Sequence, residues 1–330
     1  MARFLVVGCG SIGKRRARDL ARLGAELVLV DTDVAQLDAT LAELALIAPP
    51  DYVARVERYQ GYDYALRNYT LAGGFVCVPD ALHIAVATNL AHAGVNLFIE
   101  KPIAPQLEIK PLQTLWNVCR ENGLVGLMGQ SWRFNPRLRN FALGIQSRAL
   151  LSAVIYSGQH LDEWWSDVPG KETPYARAGI ENVSLAHSLD TAQYCFGEIE
   201  ALTALIAGTN YFGPGNDIAT LLLRMKNGAQ VVVHNNFWSS PRRDYIEAVF
   251  AEPENSTEIW EPDLAGRALG EMYHLETKHA VCCFEQHQQG QPDLLQGILN
   301  LEWIEAARRA SANGTWQRID NAWKTISGRK

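Results

Sequence analysis

The run RFLVVGCGSIG, which spans Arg3–Gly13, decides the fold of this chain because it joins an apolar strand-type segment directly to a glycine pattern. In Gly8-x-Gly10-x-x-Gly13, the first glycine permits a tight turn and the second lets a pyrophosphate approach the backbone. The third lets the next helix pack close to the strand, so that its positive N-terminal end faces the phosphates. The run therefore predicts a dinucleotide-binding turn between a strand and a helix.

The segment after this turn supports the same interpretation. Ala17, Leu20 and Gly24 fall on one face of a helix. A second apolar run, Glu26–Val30, then ends on Asp31. A carboxylate about 20 positions beyond the turn accepts hydrogen bonds from an adenosine ribose and repels a 2′-phosphate. The alternative is a tight turn with a solvent-facing aspartate, but the strand–helix–strand context favours a nucleotide site, for NAD rather than NADP.

Composition and charge limit the classes of partner. The 330 residues are 48% hydrophobic and 20% charged, as in an ordinary globular protein of two domains. The net charge of −6 argues against nucleic acid or an anionic membrane as the main partner. We therefore expect the basic cluster Lys14–Arg18 to form a solvated face or to lie near the cofactor phosphates.

The cysteines and the hydropathy pattern indicate a compartment. Six cysteines occur without a C-x-x-C pattern, and no signal peptide or apolar run of membrane-spanning length is present. We expect reduced, mostly buried thiols in a cytoplasmic protein.

Two patterns of secondary structure divide the chain. Strands over 53–56, 75–78, 96–99 and 124–128 alternate with helices over 34–46, 62–69, 82–93 and 112–122, which predicts a doubly wound parallel sheet. After that, β-type runs over 153–156, 218–225, 229–234 and 246–250, with a hairpin signal at Lys226-Asn227-Gly228, predict an open, mostly antiparallel sheet. Helices are expected over 183–195 and 293–310. The predicted domains are 1–128, an α/β Rossmann domain, and 129–330, an α+β domain for substrate and oligomerisation whose C-terminal helix packs back on the first.

The segment Glu100-Lys101-Pro102 follows a predicted sheet strand at its carboxyl end, where open α/β sheets bind ligands. A lysine there can hydrogen-bond a substrate hydroxyl beside a nicotinamide and exchange a proton with it once burial lowers its pKa. Glu100 can orient the lysine. The alternative is a surface Glu–Lys pair at a strand end. The predicted nucleotide site nearby favours the functional interpretation over this alternative.

His187 lies on the helix predicted over 183–195 and is a second candidate for acid–base work. Asp190, three residues on, lies on the same face and is expected to fix the imidazole tautomer. A structural histidine on a half-buried helix is the alternative. His274, His279 and Cys283 carry metal-binding side chains, but their spacing matches no tight zinc pattern, and no metal is expected.

The chain resembles the glucose–fructose oxidoreductase / inositol dehydrogenase family nearly end to end. The segments that carry the resemblance are Gly8–Gly13, Val78–His83, Glu100-Lys101-Pro102, Trp132–Pro136, Gly158–Gly197 and Phe284–Gly314. The resemblance implies a Rossmann domain followed by an open, mostly antiparallel sheet, NAD or NADP as cofactor, a sugar, amino sugar or polyol as substrate, and a homodimer or homotetramer built through the open sheet.

The resemblance also assigns residues. Lys101 and His187 match the catalytic lysine and histidine of the family. The positions that match cofactor contacts are Gly8, Gly10, Ser11, Ile12, Gly13, Asp31, Pro79, His83, Glu100 and Lys101. Arg133, Trp164, Trp165 and Tyr175 are candidates for the substrate side, since aromatic faces suit sugar rings and arginine suits a carboxylate or phosphate; core and interface roles are the alternative.

This chain departs from the family pattern in several places, including the usual glycine run before the histidine helix, which is Ala178-Gly179-Ile180-Glu181 here. Val183 and its neighbour Ser184 stand where the family often carries an aspartate four residues before the histidine, and Asp80 stands where many members have asparagine. Two function hypotheses follow. The first is an NAD-dependent oxidoreductase that moves hydride to or from a sugar carbon. The second is an NAD-binding protein with little or no dehydrogenase activity, acting as a sensor or an assembly partner.

Overall fold

A parallel sheet organises the amino-terminal part of this computed structural model, which describes residues 2–164, 174–251, 256–261, 267–319 and 322–327. Its six strands are β1 (Arg3–Val7), β2 (Glu26–Val30), β3 (Glu57–Tyr59), β4 (Gly73–Val76), β5 (Leu97–Ile99) and β6 (Gly126–Met128). They lie in the order β3-β2-β1-β4-β5-β6, with every pair parallel. The order reverses between β1 and β4, where a doubly wound sheet binds ligands. The predicted doubly wound sheet is confirmed.

Six helices connect these strands. They are α1 (Ser11–Arg22), α2 (Val34–Ala45), α3 (Pro50–Val53), α4 (Asp63–Asn68), α5 (His83–His92) and α6 (Ile109–Glu121). The predicted strand over 53–56 is wrong, because α3 ends at Val53, a turn follows it, and β3 begins only at Glu57. Pro50 explains the difference: it stands in the first turn of α3, where its fixed φ suits a helix and its missing N–H costs nothing.

A second, seven-stranded sheet follows. Its strands are β7 (Ala149–Gly158), β8 (Ile199–Ala207), β9 (Ile218–Met225), β10 (Gln230–Asn236), β11 (Arg243–Ala251), β12 (Ser256–Trp260) and β13 (Gln317–Arg318). The order is β12-β11-β7-β10-β9-β8-β13, antiparallel except where β10 lies parallel to β7. The predicted hairpin joins β9 to β10, and Gly228 has the positive φ of +89° that this turn needs. The mostly antiparallel sheet is confirmed.

The remaining helices are α7 (Pro136–Ile145), α8 (Leu161–Trp164), α9 (Pro174–Ile180), α10 (Ala186–Phe196), α11 (Arg267–Glu285), α12 (Leu294–Asn313) and α13 (Ala322–Ser327). On one face of the second sheet, the Asn235 amide donates to Ser188 of α10 (2.9 Å), and Asn300 of α12 donates to the Ala186 carbonyl (2.8 Å). The alternate residues of β7, β9 and β10 are only half-buried; they include Val154, Tyr156, Leu222, Val232 and His234. No helix in the described ranges is long and apolar enough to cross a bilayer.

The chain divides into two compact units that interleave in sequence. The first comprises 1–131, 270–298 and 322–330, and the second comprises 132–269 and 299–321. The division of the chain into domains 1–128 and 129–330 stays a prediction. Within the first unit, Phe284 of α11 packs against Phe4 and Phe75 of the parallel sheet, with ring centroids 6.4 and 6.1 Å apart. A Cβ on Gly73 would lie 2.4 Å from the Phe284 ring, so that strand residue must be glycine for the helix to come this close.

Phe284→Ala is expected to lower the free energy of unfolding by about 3–5 kcal/mol, because it removes a ring that is only 1% exposed and leaves a cavity against the sheet. Urea unfolding measures the change. Leu46→Ala is the control, because Leu46 is 84% exposed and its truncation should cost within about 0.5 kcal/mol. A similar, small loss in both variants would contradict this account of the core.

Candidate active site

The glycine turn after β1 is built at the switch point of the parallel sheet. Gly8 has a φ of +91°, and a Cβ there would lie 2.6 Å from the Cys77 carbonyl carbon after β4. A Cβ on Gly13 would lie 1.8 Å from the Gly8 oxygen, so only glycine lets α1 approach the turn this closely. A Cβ on Gly10 would meet nothing within 4 Å, which leaves room above this residue. The three glycines thus have the roles that a pyrophosphate-binding turn requires.

The amino-terminal end of α1 completes this cradle. The helix begins at Ser11, which is exposed, and continues through the half-buried Ile12. Its first turn contains no acidic residue, and Lys14 follows. The N–H groups at a helix start and the positive end of its dipole favour an anion, so the turn fits the phosphates of a dinucleotide.

Asp31 is held beside the same turn by two backbone donors. Its Oδ2 accepts from the Cys9 N–H at 2.6 Å, and its Oδ1 accepts from the Asp33 N–H at 2.9 Å. Each carboxylate oxygen keeps lone pairs for a ribose hydroxyl. A phosphate at the ribose 2′ position would meet the negative charges of Asp31 and Asp33 instead. The geometry therefore fits NAD.

His83, at the start of α5, braces the neighbouring loops. Its Nδ1 lies 2.8 Å from the Pro102 carbonyl oxygen, and its Nε2 lies 2.8 Å from the Val78 carbonyl oxygen, with Pro79 next in the chain. The ring is buried, and that burial lowers the pKa of His83. Both ring nitrogens thus face the protein itself, and the contact to Pro102 fixes the chain directly after Lys101. The predicted cofactor contacts of Pro79 and His83 stay predictions.

Lys101 follows β5 at the carboxyl end of the sheet. It is half-buried, and burial lowers the pKa of Lys101 to about 8, although the charges of Glu100 and Asp80 oppose that change. A lysine with this pKa is divided between ammonium and amine at physiological pH, so it can both donate and accept a proton. This is the protonation behaviour expected of an acid–base group.

Arg16 contradicts the expectation for the basic cluster, because it is fully buried rather than solvated. Its guanidinium lies between two carboxylates, 2.6 Å from Oε1 of Glu100 and 2.5 Å from Oε2 of Glu276 on α11. It also donates to the Thr277 hydroxyl at 3.0 Å and the Tyr273 carbonyl at 3.2 Å. Its position three residues after Gly13, on the inward face of α1, is the signal in the sequence that points to burial.

His187 lies on α10 in the second unit, and its ring is stacked on the indole of Trp132. The ring centroids are 5.7 Å apart, and the planes differ by 10°. This contact fixes the orientation of the imidazole. Trp132 directly precedes Arg133, the predicted substrate residue. The contact of Trp132 with His187 is not predicted from the sequence.

Asp190 pairs with Arg133, and its expected role toward His187 stays a prediction. Both Asp190 oxygens accept from Arg133, from Nε and from Nη2, each at 2.7 Å. This buried bidentate pair holds the segment after the first unit against α10, so much of the Arg133 guanidinium serves that contact. Trp165 and the side chains of Trp164 and Tyr175 lie outside the described residues.

The turn before His187 is π-helical over Glu181–Leu185, and Val183 and Ser184 are buried in it. Such π turns often occur at functional sites because they shift the helix face that follows them. The carboxylate of Glu181 accepts from the Asn216 amide at 2.7 Å. The family's aspartate position is thus occupied here by a buried aliphatic side chain.

The residues weighed for a metal site do not converge. His274 Nδ1 lies 3.5 Å from Asp19 Oδ1, whereas His279 Nε2 lies 3.6 Å from the Cys283 sulfur. Across the described ranges, no group of three or more His, Cys, Asp and Glu side chains is placed to hold a metal ion.

Two family models match this chain. The first, described as an oxidoreductase family with an NAD-binding Rossmann fold, matches residues 2–130, and the second, the GFO/IDH/MocA C-terminal domain, matches residues 156–260. Among solved structures, the WlbA dehydrogenase of Bordetella pertussis, in complex with NADH and UDP-GlcNAcA, superposes with a TM-score of 0.78 at 20% identity. That superposition covers 96% of this chain and 97% of the other, and it shows a shared fold.

Two curated relatives match at similar identity. The uncharacterized oxidoreductase YrbE of Bacillus subtilis is 22% identical over 236 residues, which is 70% of this chain and 66% of the relative. The D-apiose dehydrogenase of Paraburkholderia graminis is 25% identical over 185 residues, which is 53% of this chain and 46% of the relative. The match thus spans less than two thirds of either relative. With both family models matched in chain order, the chain belongs to the GFO/IDH/MocA family of oxidoreductases with an NAD-binding Rossmann fold.

Proposed function

We propose that this chain is an NAD-dependent oxidoreductase that transfers hydride between the nicotinamide and a CH–OH carbon of a sugar, amino sugar or polyol. The observation that carries the proposal is Lys101, a half-buried lysine with a pKa of about 8 at the carboxyl end of β5. It belongs to the same unit as the glycine turn and Asp31. The D-apiose dehydrogenase among the relatives supports a sugar-like substrate.

The residues of the turn are proposed to hold NAD. Gly8, Gly10, Ser11, Ile12 and Gly13 form the phosphate cradle, and Asp31 receives the ribose hydroxyls, so NADP is disfavoured. Pro79, His83 and Glu100 are proposed as further contacts. When bound, NAD supplies the acceptor for the hydride.

The role proposed for Lys101 is proton transfer at the reacting hydroxyl. In oxidation, the neutral amine accepts the hydroxyl proton while the carbon loses its hydride and becomes a carbonyl carbon. In reduction, the ammonium returns that proton to the oxygen as the hydride arrives. His187 is proposed as a second hydrogen-bonding and acid–base group, with its ring oriented by Trp132. Arg133, Trp164, Trp165 and Tyr175 remain proposals for the substrate side.

A second function is favoured by one position. Val183 places a buried aliphatic side chain where the family often has a carboxylate, and a carboxylate there would tune the acid–base groups. An NAD-binding protein with little or no dehydrogenase activity, acting as a sensor or an assembly partner, is therefore the alternative. Reduction of NAD by any candidate sugar, followed at the nicotinamide absorbance, separates the two.

We also propose a homodimer or homotetramer in the cytoplasm. The half-buried side chains along β7, β9 and β10 support an interface on the open face of the second sheet. The six free cysteines support a reducing compartment. The absence of a nucleic-acid partner rests on the net charge alone and stays a prediction.

Lys101→Met should lower kcat by about 10²–10⁴-fold, because it removes the group that exchanges the hydroxyl proton. Steady-state kinetics measure the loss, and fluorescence titration should show an NADH affinity within about threefold of wild type, since the phosphate cradle is intact. Lys110→Met, at an exposed lysine on α6, is the control and should keep full activity. A Lys101→Met enzyme that keeps its activity would contradict the assignment of Lys101 as the group that exchanges the hydroxyl proton.

The pH dependence follows from the protonation state of Lys101. Because the neutral amine is the base, kcat/KM for oxidation should rise with pH and level off above about 8, where the amine form dominates. In the reduction direction the ammonium is the acid, so kcat/KM should fall above the same pH. Profiles with the same slope in both directions would contradict this role.

Asp31→Asn should weaken the discrimination between NADH and NADPH by about tenfold or more, because it removes one charge that repels the 2′-phosphate. Titration with both cofactors measures the ratio of dissociation constants. Asp38→Asn removes an exposed charge from α2 and should leave the ratio unchanged. A wild-type protein that binds NADPH more tightly than NADH would overturn the cofactor assignment.

A further inference from the structure

One buried cation is shared by two carboxylates directly beside Lys101. The guanidinium of Arg16 is 0% exposed, and Glu100 and Glu276 are 9% and 1% exposed. Nη2 of Arg16 lies within hydrogen-bond distance of both carboxylates, at 2.6 and 2.5 Å. The three residues come from α1, the end of β5 and α11, so the cluster depends on three separate elements of the first unit.

The side chain of Glu100 is fixed from two directions. On one side Nε of Arg16 donates to its Oε1 at 2.8 Å. On the other side Gly129 leaves space, because a Cβ there would lie 2.8 Å from Oε2 of Glu100. These two contacts orient the Glu100 carboxylate beside the residue that follows it, Lys101.

Glu276 is fixed as firmly. Its Oε1 accepts from the Gln130 N–H at 2.6 Å, and its Oε2 accepts from Arg16. The charged and titratable groups that face it are Arg16 from α1, Glu100 after β5, Cys77 after β4 and Tyr273 on its own helix. Burial raises the pKa of Glu276 to about 7; Arg16 opposes the rise and Glu100 adds to it.

Glu100 is the member of this cluster whose charge acts directly on Lys101. The ammonium of Lys101 is supported by the negative charges of Glu100 and Asp80 and is disfavoured by burial. A single guanidinium cannot cancel two carboxylates, so an ionised Glu276 leaves a net negative charge on the cluster. A neutral Glu276 leaves Arg16 and Glu100 as a balanced pair, which supports the Lys101 ammonium less.

We infer that Glu276 is a positioning residue for Lys101: by taking a share of Arg16, it leaves Glu100 enough negative charge to hold the proton on the lysine. Arg16 transmits the effect, and Glu276 does not touch the reacting atoms. Loss of the Glu276 charge makes Lys101 give up its proton more readily. The importance of this for catalysis rests on the proposed function, whereas the electrostatic effect on the lysine does not.

The test measures the titration of Lys101 without turnover. An amine-reactive reagent labels the protein at a series of pH values, and peptide mass spectrometry reports the labelling rate at Lys101. Glu276→Gln should lower the pKa of Lys101 by about 0.5–1 unit, since it removes one buried charge. Glu276→Asp keeps the charge and should restore a value close to wild type. An unchanged Lys101 titration in Glu276→Gln overturns the inference.

A matched control separates charge from packing. Thr277→Val removes the neutral hydroxyl that accepts from Arg16 at 3.0 Å, and the Tyr273 carbonyl remains. It should lower the melting temperature without moving the Lys101 titration. If Thr277→Val shifts that titration as much as Glu276→Gln does, packing rather than charge is the cause and the inference fails.

If Glu276→Gln does not fold, the pH dependence of Lys101 labelling in the wild-type protein tests the inference independently. Protonation of Glu276 as the pH falls through about 7 should weaken the hold on the Lys101 proton, so the two groups titrate with negative coupling. Between about pH 7 and pH 5, well below the pKa of Lys101, an uncoupled amine would lose reactivity by about tenfold per unit, so here the labelling rate should fall by clearly less than tenfold per unit. A fall of tenfold per unit across this range would overturn the inference.

Kinetics then separate this inference from the proposed function. If wild type oxidises a sugar, the midpoint of kcat/KM against pH in Glu276→Gln should move down by the same amount as the labelling midpoint, with KM within about twofold. If no sugar reduces NAD but the labelling midpoint shifts, the proposed function fails and the electrostatic inference holds. If wild type oxidises a sugar normally but the labelling midpoint of Lys101 does not move in Glu276→Gln, the electrostatic inference fails and the proposed function holds.

Discussion

The first unit depends on one buried ion cluster, Arg16 with Glu100 and Glu276. Removing three charged groups from water is costly, and their attraction offsets that cost only when every donor and acceptor is satisfied. Here the guanidinium, both carboxylates and the Gln130 N–H are all engaged. Such a cluster admits few alternative arrangements. It therefore fixes the place of the glycine-turn helix, of the strand end that carries Lys101 and of the returning helix α11.

Local patterns made much of the fold and cofactor site predictable. The glycine turn, Asp31 and Lys101 all lie at strand ends, so the order of strands and helices alone places them on one edge of a doubly wound sheet. Partners distant in sequence could not be predicted in this way. Glu276 lies 260 positions from Arg16, and no periodicity in either segment signals the other. The same limit hid the pairing of Arg133 with Asp190, which lie 57 positions apart.

Errors in the predicted elements have local causes. Pro50 reads as a break in the sequence but serves as the first turn of α3, which moved the following strand to Glu57. Strand β8 is absent from the predicted elements, because its sequence, IEALTALIA, has apolar residues without strict alternation and so does not distinguish a strand from a helix by periodicity. Strand β13 has two residues, too few for any pattern. No residue type in the π-helical turn before His187 is specific for that geometry, so sequence patterns do not predict it.

The return of α11 to the parallel sheet has a consequence for how the chain is made. Chains fold from the amino terminus as they leave the ribosome, and early domains are usually complete long before synthesis ends. In this chain, Phe284 and Glu276 belong to the same unit as β1 and α1. Until they emerge, the sheet face around Phe4 and Phe75 stays open, and Arg16 has Glu100 but lacks its second carboxylate, Glu276. The nascent polypeptide must therefore keep that surface from aggregating while the second sheet is still being translated.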